Sequence, residues 1–173
     1  MINSVAKLLS ILNSESEPSQ ISLGFAFSMV AGLTPFFGVH NLAVLFLALV
    51  LRVNLSAFFL GTAAFSALAY GLDPLFHAIG LKLLTLEAMR GVWTGMYNMA
   101  LFRVARFNNT IFMGSFALSA ALFVPFVLAA NFLIRKYRLH ILAFVQKTRV
   151  MQAWKATGVY RAYESYRDLR SRL

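Results

Sequence analysis

Few side chains in this sequence are suited to chemistry, and the first candidates are a carboxylate and an imidazole four residues apart. Asp73 and His77 lie on one face if their segment is helical. Such a pair can pass a proton or bind a polar ligand, and an acidic group near an apolar segment is a functional candidate. The simpler interpretation, which we favour, is that Asp73 caps a helix starting at Pro74 while His77 bonds locally. We therefore predict a polar cluster at a helix break.

The residues that other catalytic chemistry requires are missing from the sequence. It contains no cysteine, which excludes disulfides, thiolate metal ligands and a cysteine nucleophile. It has no serine nucleophile motif, and no second carboxylate or histidine pair completes a metal site. We therefore predict no catalytic residue, no metal and no cofactor, and interpret the protein as not being an enzyme.

A second unusual feature is the stretch GLTPFFGVHN, residues 32–41, inside a run without charge from Pro18 to Leu51. A single helix over this run would be about 50 Å long, compared with a hydrocarbon core of ~30 Å. Thr34 is suited to cap a helix and Pro35 to begin one. The sequence therefore predicts a re-entrant hairpin around Pro35, with one kinked, tilted span as the alternative.

The start of the second half-helix is a candidate binding site for a lipid headgroup or another anion. Helix N-termini carry free N–H groups and partial positive charge. The candidate residues are Thr34, Pro35, Gly38, His40 and Arg52. Alternatively, the break only shapes the fold, and Arg52 extends from a helix end to the headgroups.

The elements that position these residues are those of an all-α integral membrane protein. The chain of 173 residues is 60% hydrophobic and only 13% charged. We predict an interfacial N-terminal helix in residues 1–17, a membrane domain in 18–134 and an amphipathic basic tail in 135–173. The two principal transmembrane helices are predicted at Asn54–Tyr70 and Thr110–Ile134, with Asn54 capping the first and Asn109 or Thr110 the second. Residues 88–108 are interpreted as an interfacial helix, with a short span as the alternative.

Two patches of small residues are typical of close helix packing. Gly61 and Ala64 belong to the first patch, and Gly114, Ala117 and Ala121 belong to the second. We expect the two patches to face each other.

The net charge of +10 is concentrated in the tail, which holds ten of the sixteen basic residues and two of the six acidic ones. The positive-inside rule therefore predicts a cytoplasmic C-terminus. Anionic lipid headgroups attract such a segment, and we favour them over nucleic acid as its partner.

Residues 22–84 resemble a bacterial membrane family known as domain of unknown function 2062. The shared pattern is Gly-x-x-Pro, followed by an apolar segment that ends in Arg-x-Asn; it falls here on Gly32, Pro35, Gly38, Arg52, Asn54 and Gly61. Where that family usually has Asn-Pro, this chain has Asp73-Pro74. In this departure it is similar to a subgroup of short proteins encoded beside a larger partner in bacteria with outer membranes. The resemblance implies a bacterial inner membrane and a protein partner.

These features together predict a non-enzymatic subunit of an envelope complex that supplies or gates phospholipid for a larger partner. Membrane lipid and a larger envelope protein are the expected partners, and a homo-oligomer is also compatible. The alternative is a self-contained oligomeric channel or small transporter, and a membrane enzyme ranks third.

Overall fold

The computed structural model describes Ile11 and residues 16–142, which contain helices and no strand. Most of the predicted N-terminal helix and most of the basic tail lie outside these residues. Within them, one compact unit ends at Ile134 and a second begins at Arg135. The helices are α1 (Pro18–Leu33), α2 (Val39–Val50), α3 (Leu55–Leu84), α4 (Arg90–Asn98), α5 (Ala100–Val104) and α6 (Thr110–Lys136), with a 3₁₀ turn at Glu87–Met89 and a π-helical turn at Tyr137–Leu142.

Helices α1 and α2 form a hairpin. The amide of Asn54, just beyond α2, donates to the carbonyl of Gln20 in the first turn of α1 at 3.1 Å. The two helices also share an apolar cluster with the start of α3, comprising Phe27, Val30, Ala31, Val44, Ala48, Val53 and Phe58. The alternative of a single kinked span is therefore wrong.

Helix α1 lies at the centre of the bundle and is buried around most of its circumference. Its last turns, Ser28 to Leu33, are buried at every position. On the α6 side, the Phe27 and Phe123 rings meet edge to face at 5.1 Å, and Ile21 shares a cluster with Ile134. The other helices therefore enclose α1.

Helices α3 and α6 are antiparallel partners. Near one end, Gly80 packs against the backbone of Thr110. Further along, the Phe65 and Phe126 rings meet at 5.8 Å, and Ala57 shares a cluster with Ile134 at the other end. Both helices are long and apolar enough to cross a bilayer.

The small-residue patches do not face each other as predicted. Gly61 packs against Ser28 of α1, because the first half of α3 lies on that helix. Gly114 does contact α3, but at Phe76 and Gly80, beyond the predicted patch. The remaining predicted packing residues lie towards the outside: Ala64 and Ala121 are exposed and Ala117 is half-buried.

The predicted helix break at Asp73-Pro74 is wrong. Pro74 lies inside α3, which continues to Leu84 rather than ending near Tyr70. A proline within a helix removes one backbone hydrogen bond and costs about 3 kcal/mol. Contacts beyond the proline offset this cost, since Phe76 is fully buried and Gly80 packs directly on α6.

Two predicted caps are confirmed. The side-chain oxygen of Asn54 accepts from the amide of Ala57 at 2.8 Å at the start of α3. That of Asn109 accepts from the amide of Phe112 at 3.1 Å at the start of α6. Between these long helices, residues 88–108 were predicted to form one interfacial helix. They form two short helices, α4 and α5, separated by Met99, whose backbone is extended.

Candidate functional site

The hairpin tip is the loop between α1 and α2, and its helix boundaries differ from the prediction. Helix α2 begins at Val39 rather than at Pro35, and Gly38 occupies the N-cap position. Thr34 does not cap α2, because its buried hydroxyl donates to the carbonyl of Val30 at 2.7 Å in the last turn of α1. The threonine therefore ends the first helix instead of beginning the second.

His40 connects α2 back to that threonine. Its Nε2 lies 2.7 Å from Thr34 Oγ1, and both bonds of this hydroxyl form together when Nε2 is the donor and the hydroxyl donates to Val30. Within the described residues, its other ring nitrogen, Nδ1, is buried without a hydrogen-bond partner. The ring also packs on Phe112 of α6, with centroids 4.7 Å apart. His40 therefore joins the tip to both α1 and α6.

Gly38 leaves room for the ring of this histidine. A Cβ atom added at position 38 would collide with the His40 imidazole. A larger residue at position 38 would therefore first contact a side chain of the same hairpin, that of His40.

Asn41 is the tip residue that the sequence interpretation missed. Its amide nitrogen donates to the carbonyl of Phe36 at 2.8 Å and to that of Pro35 at 3.3 Å. These bonds satisfy carbonyls that have no partner within a helix. A possible signal in the sequence was an amide side chain in the first turn after a proline loop.

The tip presents two aromatic rings to the outside. Phe37 is fully exposed and Phe36 is 62% exposed. Their rings meet edge to face at 5.4 Å. Clefts of about 460, 270 and 470 Å³ adjoin the loop. The tip is thus an apolar projection between clefts.

Arg106, rather than Arg52, lies beside the tip. Arg106 and Asn109 line the cleft of about 470 Å³ together with the loop and the first turn of α2. Arg52 follows the opposite end of α2, about 18 Å away for a helix of 12 residues. Four of the five predicted lipid or anion candidates therefore lie together, and Arg52 does not.

Both arginines end a helix in the same way. Their φ angles are 52° for Arg52 and 54° for Arg106, in the left-handed region that favours glycine. The residue after each one donates back to a helix carbonyl, from Val53 to Ala48 at 3.0 Å and from Phe107 to Phe102 at 3.3 Å. Each arginine thus occupies the position after the C-cap in a Schellman motif.

The predicted Asp73–His77 pair is divided between two environments. His77 Nδ1 lies 2.8 Å from the Thr110 hydroxyl of α6. Asp73 lines a different cleft, of about 270 Å³, with Thr34 and Pro35. The structure thus places Asp73 beside the tip and gives it no hydrogen bond to His77. Among the described residues, no three His, Asp or Glu side chains come close enough to hold a metal ion.

In the described residues, these observations define an α-helical bundle with a buried central helix, α1, and two helices long enough to cross a bilayer. The chain belongs to the family described as "Uncharacterized protein conserved in bacteria (DUF2062)", whose model matches residues 5–141. The resemblance inferred from Gly32, Pro35 and Arg52 is thereby confirmed. Comparison with curated proteins and with solved structures gave no match.

Proposed function

We propose that the protein is a non-enzymatic subunit of a bacterial inner-membrane complex, and that its hairpin tip contacts phospholipid supplied to a larger partner. The observation that carries this proposal is the tip itself. It exposes Phe36 and Phe37 at the end of a hairpin whose carbonyls are satisfied internally by Asn41. An apolar projection of this kind tolerates a bilayer or an apolar partner surface better than water.

The outer faces of the two long helices support a membrane location. They expose large apolar side chains along their length, including Phe59, Leu68, Leu122, Val124 and Leu128. Contact of such side chains with lipid tails has no free-energy cost, whereas their exposure to water is unfavourable. A larger membrane protein would cover part of the same surface.

The charge of the tail supports a cytoplasmic C-terminus in this membrane. We expect a cysteine placed at Ser171 to be protected from a membrane-impermeant thiol reagent in intact cells. The same cysteine should react after the cells are opened. The sequence has no other cysteine, so the label reports on this position alone. Equal labelling before and after opening would place the tail outside.

Purification in mild detergent tests the assembly. We expect a particle heavier than one 19.3 kDa chain that retains phospholipid. Serine at both Phe36 and Phe37 should reduce the bound lipid severalfold, because it removes the apolar tip. Serine at Leu128, which is equally apolar and 65% exposed on α6, should leave it nearly unchanged.

Light scattering gives the particle mass, and mass spectrometry gives its proteins and lipids. A folded single chain without lipid would contradict the proposal.

A small transporter is the second candidate, because Asp73, a carboxylate of the long apolar helix α3, lines a cleft. Carboxylates in such positions often form part of ion or proton pathways. A particle made only of copies of this chain, with transport lost on Asp73→Asn, would favour this candidate over the subunit.

A further inference from the structure

We infer that the tip binds one phospholipid, with its phosphate at Arg106 and an acyl chain in the groove beside Trp93. This inference rests on the proposed function and names the ligand of its lipid site. The occupant is a phospholipid because a positive charge and an apolar groove adjoin each other.

The groove lies where α2, α4, α5 and α6 meet, and its volume is about 420 Å³. Its exposed wall is entirely apolar. The lining side chains that favour an acyl chain as ligand are Val39, Trp93, Met96, Leu101, Phe102 and Phe116. An alkyl chain needs no hydrogen bonds from such a wall, whereas a peptide would bury backbone groups there without partners.

The cleft that contains Arg106 adjoins this groove. Val39, Ala105 and Phe112 line both of them. The exposed side chain of Arg106 therefore lies beside the groove, as an amphiphile with a charged end requires.

Arg106 forms no ion pair within the described residues. Those residues contain three carboxylates, and the one that is paired, Glu87, lies 3.7 Å from Arg90. A guanidinium binds phosphate through two parallel N–H donors, which makes arginine well suited to this group. A phosphate at this position would neutralise a charge that the described residues leave unpaired.

Fluorescence from Trp93 can report on the groove. The indole is fixed there, since its Nε1 donates to the carbonyl of Leu83 at 3.1 Å. Trp154→Phe leaves Trp93 as the only tryptophan. The probe is phosphatidylglycerol with brominated acyl chains, added to the W154F protein in lipid-free detergent. We expect saturable quenching of Trp93.

Arg106→Gly and Arg52→Gly form a matched pair for this experiment. Each removes one positive charge and replaces an arginine with positive φ by the residue that favours this conformation. We expect Arg106→Gly to raise the lipid concentration that gives half-maximal quenching by about tenfold, because a charge-assisted bond to phosphate is lost. Arg52→Gly should bind as the W154F parent does.

A second probe, brominated diacylglycerol, has the same chains without the phosphate. We expect it to bind about tenfold more weakly than phosphatidylglycerol and to be insensitive to Arg106→Gly. Equal binding of the two probes, or equal affinities in the two glycine variants, would overturn the phosphate assignment and leave the lipid function intact. Absence of quenching by both probes, in a particle that retains lipid on purification, would overturn the groove assignment alone. Absence of quenching together with a lipid-free particle would overturn the proposed function as well.

Discussion

Gly114→Ala is expected to separate α3 from α6 and to destabilise the protein by about 3 kcal/mol. An added Cβ atom would collide with the carbonyl of Phe76 and would lie 2.9 Å from the amide nitrogen of Gly80. Both neighbours are backbone groups of one helix, so no side-chain rotation relieves the contact. The apparent unfolding temperature in detergent, followed by tryptophan fluorescence, should fall markedly.

Gly71→Ala is the matched control for this prediction. Gly71 also lies inside a long helix, but nothing lies within 4 Å of a Cβ atom added there. Alanine favours a helix over glycine by about 1 kcal/mol, so this variant should be as stable as the parent or slightly more stable. Equal unfolding temperatures for Gly114→Ala and Gly71→Ala would show that the close approach of α3 and α6 is wrong.

Asn41→Ala is expected to loosen the hairpin tip and to cost about 2 kcal/mol. It removes the donor to the carbonyls of Pro35 and Phe36 without providing another. In the bilayer contact that we propose for the tip, these carbonyls would have no water to turn to instead. The measurement is again the unfolding temperature in detergent, together with the rate of proteolysis between residues 34 and 38.

Asn98→Ala is the corresponding control, since Asn98 is exposed and its side chain forms no hydrogen bond within the described residues. It should change neither the unfolding temperature nor the cleavage rate. If Asn41→Ala behaves in the same way, the tip does not depend on this amide.

The parts of the fold that the sequence predicted correctly depend on neighbours in the chain. Asn54 and Asn109 cap the helices that follow them, because an amide side chain reaches an amide three residues on regardless of distant contacts. The position of the chain reversal near Pro35 was predictable for the same reason.

The incorrect predictions depend on distant contacts. Pro74 has the same local signals as Pro35, yet its helix continues because α6 packs on Phe76 and Gly80. Nothing near these residues in the sequence indicates that α6 will lie there. Arg106 is 71 positions away from Pro35 along the chain, yet both line one cleft in the folded protein. Local sequence patterns therefore could not predict that residues 104–112 help to line the cleft beside the tip.

The central position of α1 has a consequence for biosynthesis. Ile134, which belongs to the same cluster as Ile21, is translated 113 residues after it. At roughly 5–20 residues per second, the ribosome needs about 6–23 s to translate the chain from Ile21 to Ile134. During that time α1 lacks α6, and its buried serines Ser22 and Ser28 remain without their final enclosure. The enclosed helix α1 is thus made well before the helix that covers it, and insertion factors or surrounding lipid must shield it until α6 arrives.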